Sequence, residues 1–218
     1  MVILLPMLML ATSVWAANNY FTLIIDPGHG GKDHGAPGSF SKEKDLTLKF
    51  ALAFGRVIEQ NCPDVKVVFT RKTDTYLTLA NRAALANRCK GDLFVSVHIN
   101  AVDGSRNAHG YQTYTLGRSL RNGNSEGIRQ NLEVAKRENS VIYLEKDYRR
   151  TYKGFDPNSV ESDIMFEFIQ DKNRERSVEL AKLLQNEVCA ATGRVNGGAH
   201  QDNLAVLRLT SMPGCLME

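Results

Sequence analysis

Beyond residue 19 the chain alternates short apolar runs with longer stretches whose apolar residues recur every three or four positions. "YFTLII" is rich in aromatic and β-branched residues and is stopped by Asp26-Pro27-Gly28, the pattern of a buried strand. From Glu43 to Gln60, Leu46, Phe50, Phe54, Val57 and Ile58 fall at helical spacing, with Ser41 available as N-cap and Asn61-Cys62-Pro63 as the stop. "VKVVFT" reads as a second strand. "LTLANRAALANR", Leu77 to Arg88, reads as a second helix with Leu79, Ala83 and Ala86 on one face, and "DLFVSVHIN" as a third strand. Strand, helix, strand, helix, strand in that order predicts parallel pairing with right-handed crossovers. A fourth strand is predicted at "GYQTYTL", a long helix from Ser177 to Val188, and closing strands at "LAVLRL" and "GCLME". The expected fold class is α/β, a mostly parallel twisted sheet with helices on both faces. Residues 117–173 are too long for an ordinary connection and read as an insertion.

The start of the chain breaks this rhythm. "MVILLPMLMLATSVWA" is uncharged and apolar and ends in small residues, with Val14 and Ala16 placed as at a signal-peptidase site, so residues 1–17 read as a signal peptide. The run contains Pro6 and falls short of the roughly 20 residues that cross a bilayer core, so no stable membrane span is expected. A periplasmic or secreted protein follows. Its 218 residues, 43% hydrophobic and 23% charged, suffice for one folded domain over 20–218 and argue against disorder. The formal charge of +3 comes from Lys and Arg scattered among acids, which excludes the dense basic patch of a nucleic-acid binder. None of Cys62, Cys89, Cys189 and Cys215 lies in a CxxC pair, so a thiolate zinc site or redox motif is not expected. Cys62 and Cys89 each follow a predicted helix and could be bridged in an oxidising compartment; buried free thiols are the preferred reading.

The chemistry concentrates in "IIDPGHGGKDHGA". It matches neither GxGxxG nor the P-loop, and the helix starts too late to cradle a phosphate. A metal reading fits better. His29 lies just past the carboxyl end of the first strand and His98 at that of the third, so a parallel sheet sends both to the edge where ligands bind. Alternation puts Phe94, Ser96 and His98 on one face and Val95, Val97 and Ile99 on the other. Glu43, in the first turn of the first helix, returns to the same edge. Two imidazoles and a carboxylate suit catalytic zinc, with a fourth position left for water.

"IIDPGHGGKDHGA" with "KEKDLTL", "TRKTD" with "LANRAALAN", "DLFVSVHIN" and "VLRLTSMPGCLME" resemble, in order and spacing, the zinc-dependent N-acetylmuramoyl-L-alanine amidases of bacterial cell walls. The resemblance implies zinc (Zn2+) held by His29, Glu43 and His98, with Glu218 as the catalytic carboxylate. It implies hydrolysis of the amide between N-acetylmuramic acid and L-alanine in peptidoglycan, and a role in cell division. In the family the chain continues past this Glu, so truncation at the C-terminal end is expected. Arg71, Asp74 and Arg82 match recurring positions and could be a salt-bridged scaffold or touch substrate. Asn100 could orient a ligand or contact substrate. His34, His109 and His200 match no ligand position and are expected at the surface. The insertion resembles the segment that folds over the zinc cleft in regulated members. Glu133, Glu138 or Glu145 could then block the open position until a periplasmic activator protein displaces it. The alternatives are a non-catalytic peptidoglycan-binding module and a zinc peptidase acting within stem peptides.

Overall fold

A computed structural model describes residues 20–38, 40–100, 109–117, 133–152 and 171–218. The predicted signal peptide, and residues 118–132 and 153–170 of the insertion, lie outside the described residues. Six strands form one sheet: β1 (Phe21–Pro27), β2 (Val65–Phe69), β3 (Leu93–Val97), β4 (Tyr111–Leu116), β5 (Asn196–Asp202) and β6 (Gly214–Met217), in the order β2-β1-β3-β6-β4-β5. β2, β1, β3 and β6 are mutually parallel. β4 runs antiparallel to β6, and β5 runs parallel to β4. The expected βαβαβ unit is the β2-β1-β3 half, with α1 (Glu43–Asn61) and α2 (Leu79–Arg88) as its crossovers.

Both faces are covered, which is why β1 and β3 are near-continuous apolar runs rather than alternating ones. Ile24 and Phe94 pack with Leu79, Ala86, Tyr114 and Leu216 on one face. Leu23, Ile25, Val95 and Val97 pack with Ala51 of α1 and Ala181 of the long helix Asp171–Thr192 on the other. Each large side chain buried in this way stabilises the fold by roughly 1.5–3 kcal/mol. Among the described residues no helix is long and apolar enough to cross a membrane.

The described part of the insertion is no loose excursion. It contains a helix over 133–139 (α3), a 3-10 turn at Ser140–Leu144 and one helical turn at Tyr148–Thr151 (α4). Val134, Ala135, Val141, Ile142 and Tyr152 are buried in the first cluster, so this segment completes one face of the core.

Three local expectations are corrected. "LAVLRL" is not a strand: Ala205–Arg208 is one helical turn with all four residues buried. A short, wholly apolar run reads the same in a buried strand or a buried helix. Here β6 already lies between β3 and β4, and Asn139 of α3 accepts from the Ala205 N–H at 2.8 Å, capping the turn. Ser41 is not the cap of α1. Lys42 holds that position without a side-chain cap, and the Glu43 and Lys44 N–H groups donate to Ala36 and His34 carbonyls of the glycine-rich loop. All four cysteines are free, as the preferred reading has it, with Cys62 and Cys89 unbridged; their expected burial is what is corrected, since only Cys215 is buried.

Candidate metal centre

Pro27 at the end of β1 stands beside Val97 at the end of β3, so the chain delivers His29 and His98 at one edge. Their rings meet edge to face with centroids 4.8 Å apart. Glu43, first residue of α1, reaches both: Oε2 lies 3.1 Å from His29 Nε2 and Oε1 lies 3.3 Å from His98 Nδ1. A fourth group comes from α3. Glu138 Oε2 lies 3.3 Å from His29 Nε2 and 2.8 Å from His98 Nδ1. One donor atom from each of these four buried residues lies within 4.8 Å of the others.

The approaches are close but misaligned for hydrogen bonding. His29 Nε2, His98 Nδ1 and Glu138 Oε2 are buried without a hydrogen-bond partner. Leaving such atoms unsatisfied costs about 1–3 kcal/mol each. Lone pairs of two imidazoles and two carboxylates that converge on one point, instead of on one another, fit a divalent cation such as zinc. The electrostatics agree. Burial favours neutral rings, yet Asp33, Glu138 and Glu43 outweigh it and push His29 up to about 12. His98 is likewise pushed up to about 9, burial being outweighed mainly by Glu138. The carboxylates demand positive charge at this point, and either protons or a metal can supply it.

Neighbouring groups fix these candidate ligands. Glu43 accepts from the Ala36 N–H at 2.8 Å and the Ile99 N–H at 2.9 Å. His29 Nδ1 bonds Asp33 Oδ2 at 2.9 Å, which turns Nε2 towards the centre. His29 has φ +58°, a left-handed conformation uncommon outside glycine. Two buried arginines hold it there. Arg82 donates to the Pro27 carbonyl at 2.7 Å and the His29 carbonyl at 2.5 Å, and Arg71 to the Pro27 carbonyl at 3.0 Å and the Gly28 carbonyl at 2.7 Å. A side chain at Gly28 would put its Cβ 2.5 Å from the His98 ring, so only glycine lets that ring lie on this backbone.

These contacts support the scaffold reading of three polar residues. Arg82 also pairs with Asp26 at 2.7 Å, both fully buried. Burial raises the Asp26 carboxyl, but the Arg82 charge outweighs this and holds it below the usual range. Asp74 accepts from the Gly31 N–H at 2.7 Å and from Lys44 at 2.6 Å. Arg71, Asp74 and Arg82 are therefore scaffold for the glycine-rich loop. Of the remaining histidines, His34 and His109 are exposed as expected. His200 instead is half-buried, within 2.8 Å of the Gly197 carbonyl and with its ring 5.4 Å from that of Tyr114.

Glu218 follows β6 and is tied through its backbone to Gln112 by two hydrogen bonds of 2.9 Å. Its buried side chain is pushed up to about 8, first by burial and next by the Glu138 charge, against Arg137 and His98. Of the three candidate blocking acids, only Glu138 reaches the ligand cluster. Glu133 is exposed, and Glu145 accepts from the Tyr152 hydroxyl at 2.8 Å. Sequence reasoning missed Arg137, whose guanidinium bonds Glu138 Oε1 at 2.9 Å, Asn100 Oδ1 at 3.2 Å and Glu218 Oε1. No periodicity or motif marks it; its partners are up to 81 positions away.

Two imidazoles and two carboxylates gathered at the carboxyl edge of a parallel α/β sheet define the class of a candidate single-metal hydrolase. The chain belongs to the N-acetylmuramoyl-L-alanine amidase family (Amidase_3), whose model matches residues 23–218. It is similar to the amidase AmiC of Escherichia coli, at 27% identity over 197 residues, which are 90% of this chain and 44% of that protein. Over 90 residues it is 44% identical to the endolysin of Bacillus phage SPP1, covering 41% of this chain and 32% of that one. The chain thus spans less than half the length of these curated relatives. Among solved structures, the N-acetylmuramoyl-L-alanine amidase from Clostridium difficile 630 superposes with a TM-score of 0.62 at 28% identity, over 92% of this chain and 79% of that one. AmiC2 of Nostoc punctiforme does so with 0.60 at 26%, over 91% and 78%.

Proposed function

We propose that this chain hydrolyses the amide between N-acetylmuramic acid and L-alanine in peptidoglycan, outside the cytoplasm, with zinc held by His29, Glu43 and His98. The observation that carries the reading is the convergence of His29 Nε2, His98 Nδ1 and the Glu43 carboxylate on one buried point at the sheet edge, without bonding one another well. Bound there, zinc supplies Lewis acidity to the scissile carbonyl and to the attacking water. Asp33 fixes the His29 ring, and the Ala36 and Ile99 amides fix the Glu43 carboxylate, so the ligands need no rearrangement. Glu218 takes the proton from water and passes it to the leaving nitrogen. Burial is the first cause that raises this carboxyl above its ordinary range, and a raised carboxyl suits a group that accepts a proton and returns it.

The same reading makes the form described here autoinhibited. Glu138 occupies the position that a substrate carbonyl and water need, and α3 is docked by buried apolar side chains. Activity then requires a protein partner with higher affinity for the displaced segment. The test is digestion of purified wall by zinc-loaded protein carrying Glu138→Ala, which leaves the buried Val134, Ala135, Val141 and Ile142 in place, followed by mass spectrometry. Release of intact stem peptides beginning with alanine, at a rate above that of the unmodified chain, is expected. Shorter peptides would make the protein a peptidase, and wall binding without release a binding module.

A further inference from the structure

Arg137 and Glu138 are neighbours in sequence, and each meets a different half of the site. The Glu138 carboxylate faces His29 and His98. The Arg137 guanidinium faces Glu218 and Asn100, and touches the Glu138 carboxylate itself at 2.9 Å. Amide hydrolysis turns R-CO-NH-R′ and water into R-COO⁻ and R′-NH3⁺. The C–N bond breaks, a C–O bond forms, and the water protons end on the amine. The two products carry opposite charges, a carboxylate formed where His29 and His98 converge and a cation released beside Glu218. That is the pair of charges that Arg137 and Glu138 present.

We infer that Asn100 and Glu218 form the subsite for the amine that leaves, and that the Arg137-Glu138 pair fills the site as a mimic of the two products. The inference rests on the hydrolase reading of the site. Its independent support is the orientation of Asn100. Tyr114 Oη donates to Gln112 Oε1 at 3.0 Å, and Asn100 Nδ2 donates to the same oxygen at 3.0 Å. With its nitrogen committed there, Asn100 turns its carbonyl oxygen to the site. The Gln112 backbone is in turn tied to that of Glu218. Beside a cation the Glu218 carboxyl is an acceptor, and with the aligned Asn100 amide oxygen it makes a pocket that suits a group carrying several N–H donors and positive charge. A primary ammonium meets that description, and a hydroxyl or carboxylate product does not.

The experiment uses the full chain carrying Arg137→Ala and Glu138→Ala, which empties the subsite. Calorimetric titration compares L-alanyl-γ-D-glutamate, with its free α-amine, against the N-acetylated dipeptide. The free amine is expected to bind about tenfold tighter, the usual worth of a charge-assisted hydrogen bond. The preference should persist after chelation, because neither Asn100 nor Glu218 is a ligand in this assignment. Asn100→Leu in the same background should erase it, and Asn100→Asp, which keeps an acceptor, should restore it. A structural role for Asn100 would move the melting temperature but not the ratio of the two affinities. Equal affinity for the two peptides, no binding of either, or a preference that survives Asn100→Leu overturns the inference. Wall digestion by the double variant separates the two claims. Failure to free alanine-ended peptides with the amine preference intact defeats the amidase reading alone, since any hydrolase that liberates an amine would use such a subsite.

Discussion

Two regions meet at the candidate metal centre and are held there by different means. The edge built from β1, β3 and the start of α1 is anchored through the backbone: arginine guanidinium groups on the carbonyls of residues 27–29, and amides of Ala36 and Ile99 on Glu43. The α3 segment brings Arg137 and Glu138 in on side chains, through ion pairs and the docking of Val134, Ala135, Val141 and Ile142. Backbone anchoring holds the first region in place without help from α3, although the charge on its rings still depends on what occupies the site. The second region is bound to that occupancy, because Glu138 and Arg137 are themselves the occupants. On the proposed reading, a catalytic edge and the segment that blocks it share one core, and the blocking segment's share is apolar surface that a partner could replace.

The contrast is broken most severely at the ligands. His29→Ala or His98→Ala should abolish both stoichiometric zinc and wall hydrolysis, as read by metal analysis and dye-release assay, because the remaining groups cannot complete the site. Undiminished zinc in both variants would refute the assignment. Next is Glu218→Gln in a chain whose Glu138 has also been removed. Zinc and melting temperature should hold while hydrolysis falls by about 10²–10⁴-fold, since the amide cannot accept the proton. Arg82→Met tests the backbone anchor itself. It strands Asp26 in the core, and urea unfolding should report a loss of about 3–5 kcal/mol. Substituting the other region should have the opposite sign. Glu138→Gln should raise basal hydrolysis by about 5–150-fold, the span of ordinary coupling energies, with zinc retained. No change there would remove the inhibitory role of α3.

The smallest expected effect is on pH dependence. The Asp26 carboxyl lies below its ordinary 3.8 in the folded chain, so the unfolded chain binds the proton more readily. Its contribution is complete above 3.8 and drains away as pH falls through the lower folded value. Stability curves of Asp26→Asn should be flatter on that acid limb than those of the parent.

The βαβαβ half was legible because its apolar runs are bounded by strong stops, Asp26-Pro27-Gly28 and Cys62-Pro63, and because parallel strands buried on both faces read as unbroken apolar runs. Chain order alone then sent His29, Glu43 and His98 to one edge, since strand polarity is a local property that the crossover preserves. The same lack of alternation hid the helical turn at Ala205–Arg208, which looks like a strand until β6 is seen between β3 and β4. The choice of Glu138 over Glu133 and Glu145 was also beyond the sequence. The rotation of α3 about its axis is set by Val134 and Ala135 seating in a core made by other segments. Arg137 reaches Glu218 across 81 positions, and Asn100 takes its orientation from Gln112 and Tyr114 in β4. Hydrophobic periodicity and turn residues act within a few positions and so determine elements and their polarity. Which charges share a buried point is decided only when distant segments close together, because the free energy of such a pair depends on the partners and the water exclusion that the closed core supplies.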